Sequence, residues 1–247
     1  MQGTSKLKVG LLLCDDVDES DQARYGTYAD MFRDGINAVD QNLILSPVHC
    51  HRGEMPDSPD DYDAFLISGS RHGVYDSLPW IGRLQDFVRG CRDRRKKTVG
   101  ICFGHQLIAH ALGGEARKAD AGWGIGIHST RITEPRPWMR DIGKGESDAP
   151  DRYNLVVVHQ DQVVALPPGF RTIAENDFCP VSMFVGDEVM LGIQGHPEFS
   201  REFCEFRIHS RKAMLGGDLY RKSLASLKEM TLDSGRVLGW VARFIRG

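Results

Sequence analysis

Apolar positions along this chain change their period several times, and each change marks an element. "LKVGLLLC" (7–14) is a nearly unbroken apolar run, the pattern of a strand covered on both faces. In "ESDQARYGTYADMFRDGINAV", Tyr28, Met31, Phe32, Ile36 and Val39 recur at helical spacing, following Asp and Ser residues suited to capping. "NLILSPVHC" and "YDAFLISGS" predict two further strands, and "PWIGRLQDFVRGCRD" a helix with Pro79 near its start. "KTVGIC" is another buried strand, and "HQLIAHALGG" a helix closed by glycine. Strands alternating with helices in this way predict a parallel sheet with helices on both faces.

From about residue 120 the pattern shifts. "GWGIGIHSTRI", "YNLVVVH", "FRTIAEN", "VSMFV" and "VMLGIQGH" are strand-like, and the pair flanking Gly186-Asp187 predicts a hairpin. Segments 200–214, 219–230 and 235–245 predict closing helices, and "EPRPWMRDIGKGESDAPD" (134–151), rich in Pro, Gly and charge, a loop. No internal repeat is present, and one domain is expected.

Composition narrows the function. The 247 residues, 41% of them hydrophobic, suffice for a real core, and a net charge of -3 gives no reason to expect nucleic acid or an anionic membrane. The densest basic run, "RDRRKK" (92–97), falls where a helix ends before a strand and is expected to stay solvated. Six cysteines without a C-x-x-C pair, and no charged-then-apolar leader, point to the cytoplasm. No apolar stretch is long enough to span a bilayer.

Candidate chemistry begins at "VGICFGH". This is G-x-C-x-G, the cysteine version of the nucleophile elbow, in which a sharp strand-to-helix turn lifts the nucleophile above the sheet. Small neighbours let the backbone crowd, and the amides opening the next helix face the sulfur. By itself the segment fits a buried structural cysteine equally well. "IQGHPEFS" (193–200) ends another apolar strand and supplies His196 as proton carrier, with Glu198 two residues on to orient it. Pro197 favours an extended His196, which puts the two side chains on one side. "FLISGSRHGVYD" (65–76) ends a third strand, where the Gly69 amide can pair with that of Phe103 as an oxyanion hole. The "HCH" of residues 49–51 lacks a second ligand cluster, so no metal site is expected. His105 and His110 do not share a helix face; His110 is expected in the core, and His105 packed near the site. Trp123 can border the pocket or fill the core.

In this order the three segments resemble the class I (triad) glutamine amidotransferases, over roughly residues 8–205. The resemblance implies an α/β fold: a flavodoxin-like, mostly parallel sheet with helices on both faces and a small antiparallel β section. It implies one domain over 1–247, with C-terminal helices at 200–245. It also implies Cys102 as nucleophile, His196 as base and acid, Glu198 as orienter, and Gly69 with Phe103 as oxyanion donors. Gln106 would help hold the glutamyl part of the substrate. "VHQDQV" (158–163) is similar to the family's S-H-x-D-x-V segment, with Val158 in place of serine, and implies His159, Gln160 and Asp161 in the substrate pocket.

"SGSRHGVYDSLPWI" and "GWGIGIH" are most similar to stand-alone, GMP-synthase-like members, near which the plant γ-glutamyl peptidases lie. No P-loop-like segment follows, so ATP-driven GMP formation is not expected of this polypeptide alone. The expected activity is release of ammonia from glutamine through a γ-glutamyl thioester, without a cofactor. The implied partner is a separate synthase or acceptor protein. The alternatives are a γ-glutamyl peptide hydrolase and a non-catalytic glutamate or glutamine sensor.

Overall fold

The structure, a computed structural model, describes residues 5–140 and 150–247. Its centre is a nine-stranded sheet ordered β2(Leu43–His49), β1(Leu7–Leu13), β3(Ala64–Ile67), β4(Lys97–Ile101), β11(Met190–Ile193), β10(Met183–Gly186), β9(Arg171–Glu175), β6(Gly124–Ile132), β7(Arg152–His159). The first five strands are mutually parallel, and every ladder from β11 to β7 is antiparallel. The antiparallel section is therefore continuous with the parallel one. β5(Glu115–Lys118) and β8(Asp161–Ala165) form a separate two-stranded ribbon.

Alternation along the parallel strands explains their unbroken apolar runs. Leu11 and Leu13 of β1, Leu66 of β3, Val99 and Ile101 of β4 and Ile193 of β11 point into one core layer. Leu12, Phe65, Ile67 and Met190 point into the other. The first layer is covered by α2(Tyr28–Val39), α5(Arg201–Ser210), α6(Lys212–Glu229) and α7(Ser234–Arg246). The second is covered by α3(Pro79–Asp93), α4(Phe103–Ala111) and the β5–β8 ribbon. With both faces buried, neither needs polar residues.

Local chemistry sets the ends of the helices. The single helix expected over 19–39 is two, α1(Glu19–Tyr25) and α2, because Gly26 turns the chain at φ +74°. Thr27 then caps α2: its hydroxyl accepts from the Asp30 N–H (3.1 Å), and the Asp30 carboxylate accepts from the Thr27 N–H (2.9 Å). This reciprocal pair satisfies two otherwise orphaned donors. The 186–190 hairpin turns through positive φ at Asp187 and Glu188. Gly216, at φ +71°, interrupts α6 where sequence predicted a gap between helices. Of the 134–151 loop, residues 137–139 form a 3-10 turn, and 141–149 lie outside the described residues. In the basic run, Arg92 bonds Asp187 at 2.6 Å, and Arg94 and Lys96 share Asp60.

All six cysteines are buried free thiols. No helix among the described residues is long and apolar enough to cross a membrane.

Candidate active site

The carboxyl ends of β1, β3, β4 and β11 converge on one crevice, the usual location of sites in open parallel sheets. Cys102 is the only residue between β4 and α4, and its backbone is strained, at φ +52° and ψ −100°. Three backbone bonds hold that conformation. The Cys102 N–H donates to Ile193 O (2.9 Å), the Gly104 N–H to Ser68 O (3.2 Å), and the Gln106 N–H to Cys102 O (3.1 Å). The flanking glycines are sterically required: a Cβ on Gly100 would lie 2.2 Å from the Gly104 carbonyl oxygen, and one on Gly104 would lie 2.5 Å from that of Ile67. Strain held by surrounding contacts is a mark of functional turns.

Cys102 retains 5% exposure and lines a cavity of about 440 Å³ with Gly69, Gln106, His196 and Glu198. His196 reaches it through an unexpected route. The His196 N–H donates to Val156 O at 2.8 Å in an isolated bridge to β7, a strand four places from β11 in the sheet. Its ring stacks on Phe199 with centroids 4.0 Å apart and planes 2° from parallel. Nδ1 lies 2.7 Å from Glu198 Oε1, and the ring faces the same cavity as Cys102, close enough for the sulfur to act on its charge. Pro197 and Glu198 form a turn rather than continuing the strand, so the carboxylate meets the imidazole through a fold-back instead of pure alternation. Burial opposes charge on the ring, but Glu198 and Cys102 outweigh it and raise His196 to about 10.

Gly69 sits against this pair: a Cβ there would come 2.9 Å from His196 Cε1 and 3.7 Å from Cys102 Cβ. Among the described residues, neither the Gly69 nor the Phe103 N–H has a backbone acceptor. The Phe103 ring packs into the second core layer, its centre 5.6 Å from that of Trp80, and does not line the cavity.

The expected pocket residues Val158, His159, Gln160 and Asp161 line the same cavity. Gln106 spends its amide nitrogen on Asp161 O (2.8 Å) and Gln194 Oε1 (3.1 Å), joining α4 to β8 and to the chain after β11. His159 donates from Nδ1 to Asp161 O (3.0 Å), and burial lowers it to about 3, so it is neutral and no acid. Tyr75, which sequence did not single out, donates to Asp161 Oδ2 at 2.8 Å. His105 is wholly buried against Phe184, and burial lowers it to about 3. Trp123 borders the cavity.

Sequence reasoning also missed the cavity's cations, Arg71, Lys118, Arg207 and Arg211. The available signal was the i, i+4 spacing of the last two, which places both on one helical face. His49 and His51 do converge with Asp16, their candidate ligand atoms within 4.8 Å of one another. However, Asp16 Oδ2 already accepts from Arg52, and His51 is held by Leu13 O (3.0 Å) and Asp16 (2.7 Å).

Comparison with known proteins gives concordant matches. The class-I glutamine amidotransferase family matches residues 25–205. γ-Glutamyl peptidase 3 of Arabidopsis thaliana is 33% identical over 74% of this chain and 73% of its own length. A subunit of the glutamine-hydrolysing GMP synthase of Sulfurisphaera tokodaii is 32% identical over 56% of this chain and 68% of its own. Among solved structures, a glutamine amidotransferase from Thermotoga maritima shares the fold with a TM-score of 0.71 at 20% identity, covering 96% of each chain.

Proposed function

Since the chain belongs to the class I glutamine amidotransferase family, we propose that it hydrolyses γ-glutamyl amide bonds through a thioester on Cys102. The observation that carries this reading is the buried Cys102–His196–Glu198 arrangement at a strained elbow. The proton resides on the His196 imidazolium, and the Cys102 sulfur beside it attacks the γ-carbonyl carbon as the thiolate. The developing oxyanion accepts hydrogen bonds from the Gly69 and Phe103 amides, an effect worth a few kcal/mol in acyl transfer. The C–N bond then breaks, and His196 hands its proton to the leaving nitrogen. Water, deprotonated by the same imidazole, cleaves the thioester to free glutamate and thiol. Glu198 keeps the ring in one orientation and stabilises its charged form.

The preferred substrate class is γ-glutamyl peptides. The similarity to γ-glutamyl peptidase 3 extends over nearly three quarters of both chains, and a cavity of about 440 Å³ falls in the range of pockets that enclose small-molecule ligands. Glutamine hydrolysis beside a separate synthase protein is the second reading, favoured by the likeness to a GMP synthase component. In that case the leaving nitrogen is ammonia and the chemistry at sulfur is identical. The test compares kcat/KM for glutamine and a γ-glutamyl dipeptide, with Cys102→Ala as control. Intact mass after a glutamine-analogue electrophile should show one adduct, absent from Cys102→Ala. Labelling that persists in the variant overturns the mechanism, and turnover of glutamine alone selects the second reading.

A further inference from the structure

Cations lining the reaction cavity are not equally employed. Arg71 is held by Asp15 at 2.9 Å and Asp18 at 3.3 Å. Arg207, on α5, and Arg211, which ends that helix, have no carboxylate partner among the described residues. Arg207 lies 5.8 Å from the centre of the Phe203 ring, and Arg211 lies 5.9 Å from that of Trp123. The Nε of Arg207 is shut off from solvent with no acceptor among the described residues. Among the described residues the Arg211 guanidinium donates to Arg207 O (3.4 Å) and Ser210 Oγ (3.2 Å) and to no carboxylate. Two half-buried guanidiniums therefore stand near one another without an ion-pair partner among the described residues; Asp15, the acid that acts on Arg211 across the cavity, is itself bonded to Arg71. Burial and the neighbouring Arg207 lower Arg211 to about 10, and a bound anion would relieve both effects.

Position connects this pair to the reaction. α5 starts at Arg201, three residues after Glu198, so it is tied to the same turn that orients His196. The residues expected to meet the glutamyl group, Gln106 and 158–161, come from other elements: α4, β7 and β8. Glutamine carries no net charge. A γ-glutamyl dipeptide carries one further carboxylate, and it lies on the leaving side of the scissile bond.

We infer that Arg207 and Arg211 form a subsite for the free carboxylate of an amino-acid or peptide leaving group. This rests on the γ-glutamyl hydrolase reading and selects peptides over glutamine within it. Guanidinium suits the task because its planar fork pairs with carboxylate oxygens and its face packs on aromatic rings.

The test uses γ-glutamylalanine and its C-terminal amide, which share the glutamyl group and the scissile bond. Charge-assisted contacts predict that the intact protein prefers the free acid by roughly 10- to 100-fold in kcat/KM, mostly through KM. In Arg207→Gln and Arg211→Gln that preference should shrink toward unity. A merely structural role would lower acid and amide alike, and that result overturns the subsite, as does an intact protein that treats the two equally. Calorimetric binding of acid and amide to Cys102→Ala repeats the comparison without turnover. If hydrolysis is absent but acid still binds better than amide, and the arginine variants lose that difference, the hydrolase reading fails and the subsite stands. Equal binding of the two ligands overturns the subsite.

Discussion

His196 Nδ1 stands 2.7 Å from Glu198 Oε1, on side chains only 5% and 1% exposed. An imidazolium removed from water at that depth is tenable only beside a fixed negative charge. Glu198 Oε2 has no partner among the described residues, so the carboxylate is committed to the imidazole.

Glu198→Gln keeps the shape and removes the charge. It should lower kcat on the order of 10²- to 10⁴-fold, by analogy with loss of the orienting acid in other triads. Steady-state kinetics on a γ-glutamyl substrate measures this, and a change under threefold would remove Glu198 from the reaction.

The same pair makes stability depend on pH. The His196 value of about 10 lies above the ordinary 6.5, so between those values the native state holds a proton that the unfolded chain has released. This contribution is complete below pH 6.5 and is lost as pH rises toward 10. Urea unfolding of the protein and of His196→Asn across that range should show the steeper decline in the protein.

On the acid side the sign reverses. His105 and His159, both lowered to about 3 by burial, remain neutral in the native state while the unfolded chain protonates below 6.5. Stability is lost as pH falls from 6.5 toward 3, with unfolding taking up protons. Potentiometric titration of folded and urea-unfolded protein near pH 5 checks this; equal proton binding would refute it.

Backbone strain at Cys102 separates stability from activity. Cys102→Ala abolishes turnover and keeps the strain, whereas Cys102→Gly abolishes turnover and relieves it. The glycine variant should be the more stable by about 1 kcal/mol, less the entropy that glycine returns to the unfolded chain. Differential scanning calorimetry decides the order.

Two glycines should respond differently to alanine. Gly69→Ala presses on the His196 ring and should impair kcat with modest loss of stability. Gly100→Ala meets rigid backbone at 2.2 Å and should destabilise by roughly 2–4 kcal/mol. Paired activity and melting measurements distinguish the two.

Legibility in the sequence follows burial and locality. The parallel strands could be read because both faces are covered, leaving continuous apolar runs. β5 and β8 were missed because a two-stranded ribbon buries few positions, and "EARK" exposes all but Ala116. The break before α2 was missed because Gly26 interrupts a span that read as one amphipathic helix. It is marked only by a local cap at Thr27 and Asp30.

By itself the sequence determined the α/β alternation, the glycine-flanked cysteine turn, and the proximity of His196 to Glu198. Each depends on residues within a few positions of one another, where chain geometry leaves few options. The tertiary structure decided the rest: the bridge that brings β7 to His196, the approach of Cys102 that helps Glu198 raise the imidazole against its burial, and the placing of Arg211 against Trp123 at the cavity's edge. These unite segments some 40 to 90 positions apart, and only packing of the completed sheet and helices fixes such distances.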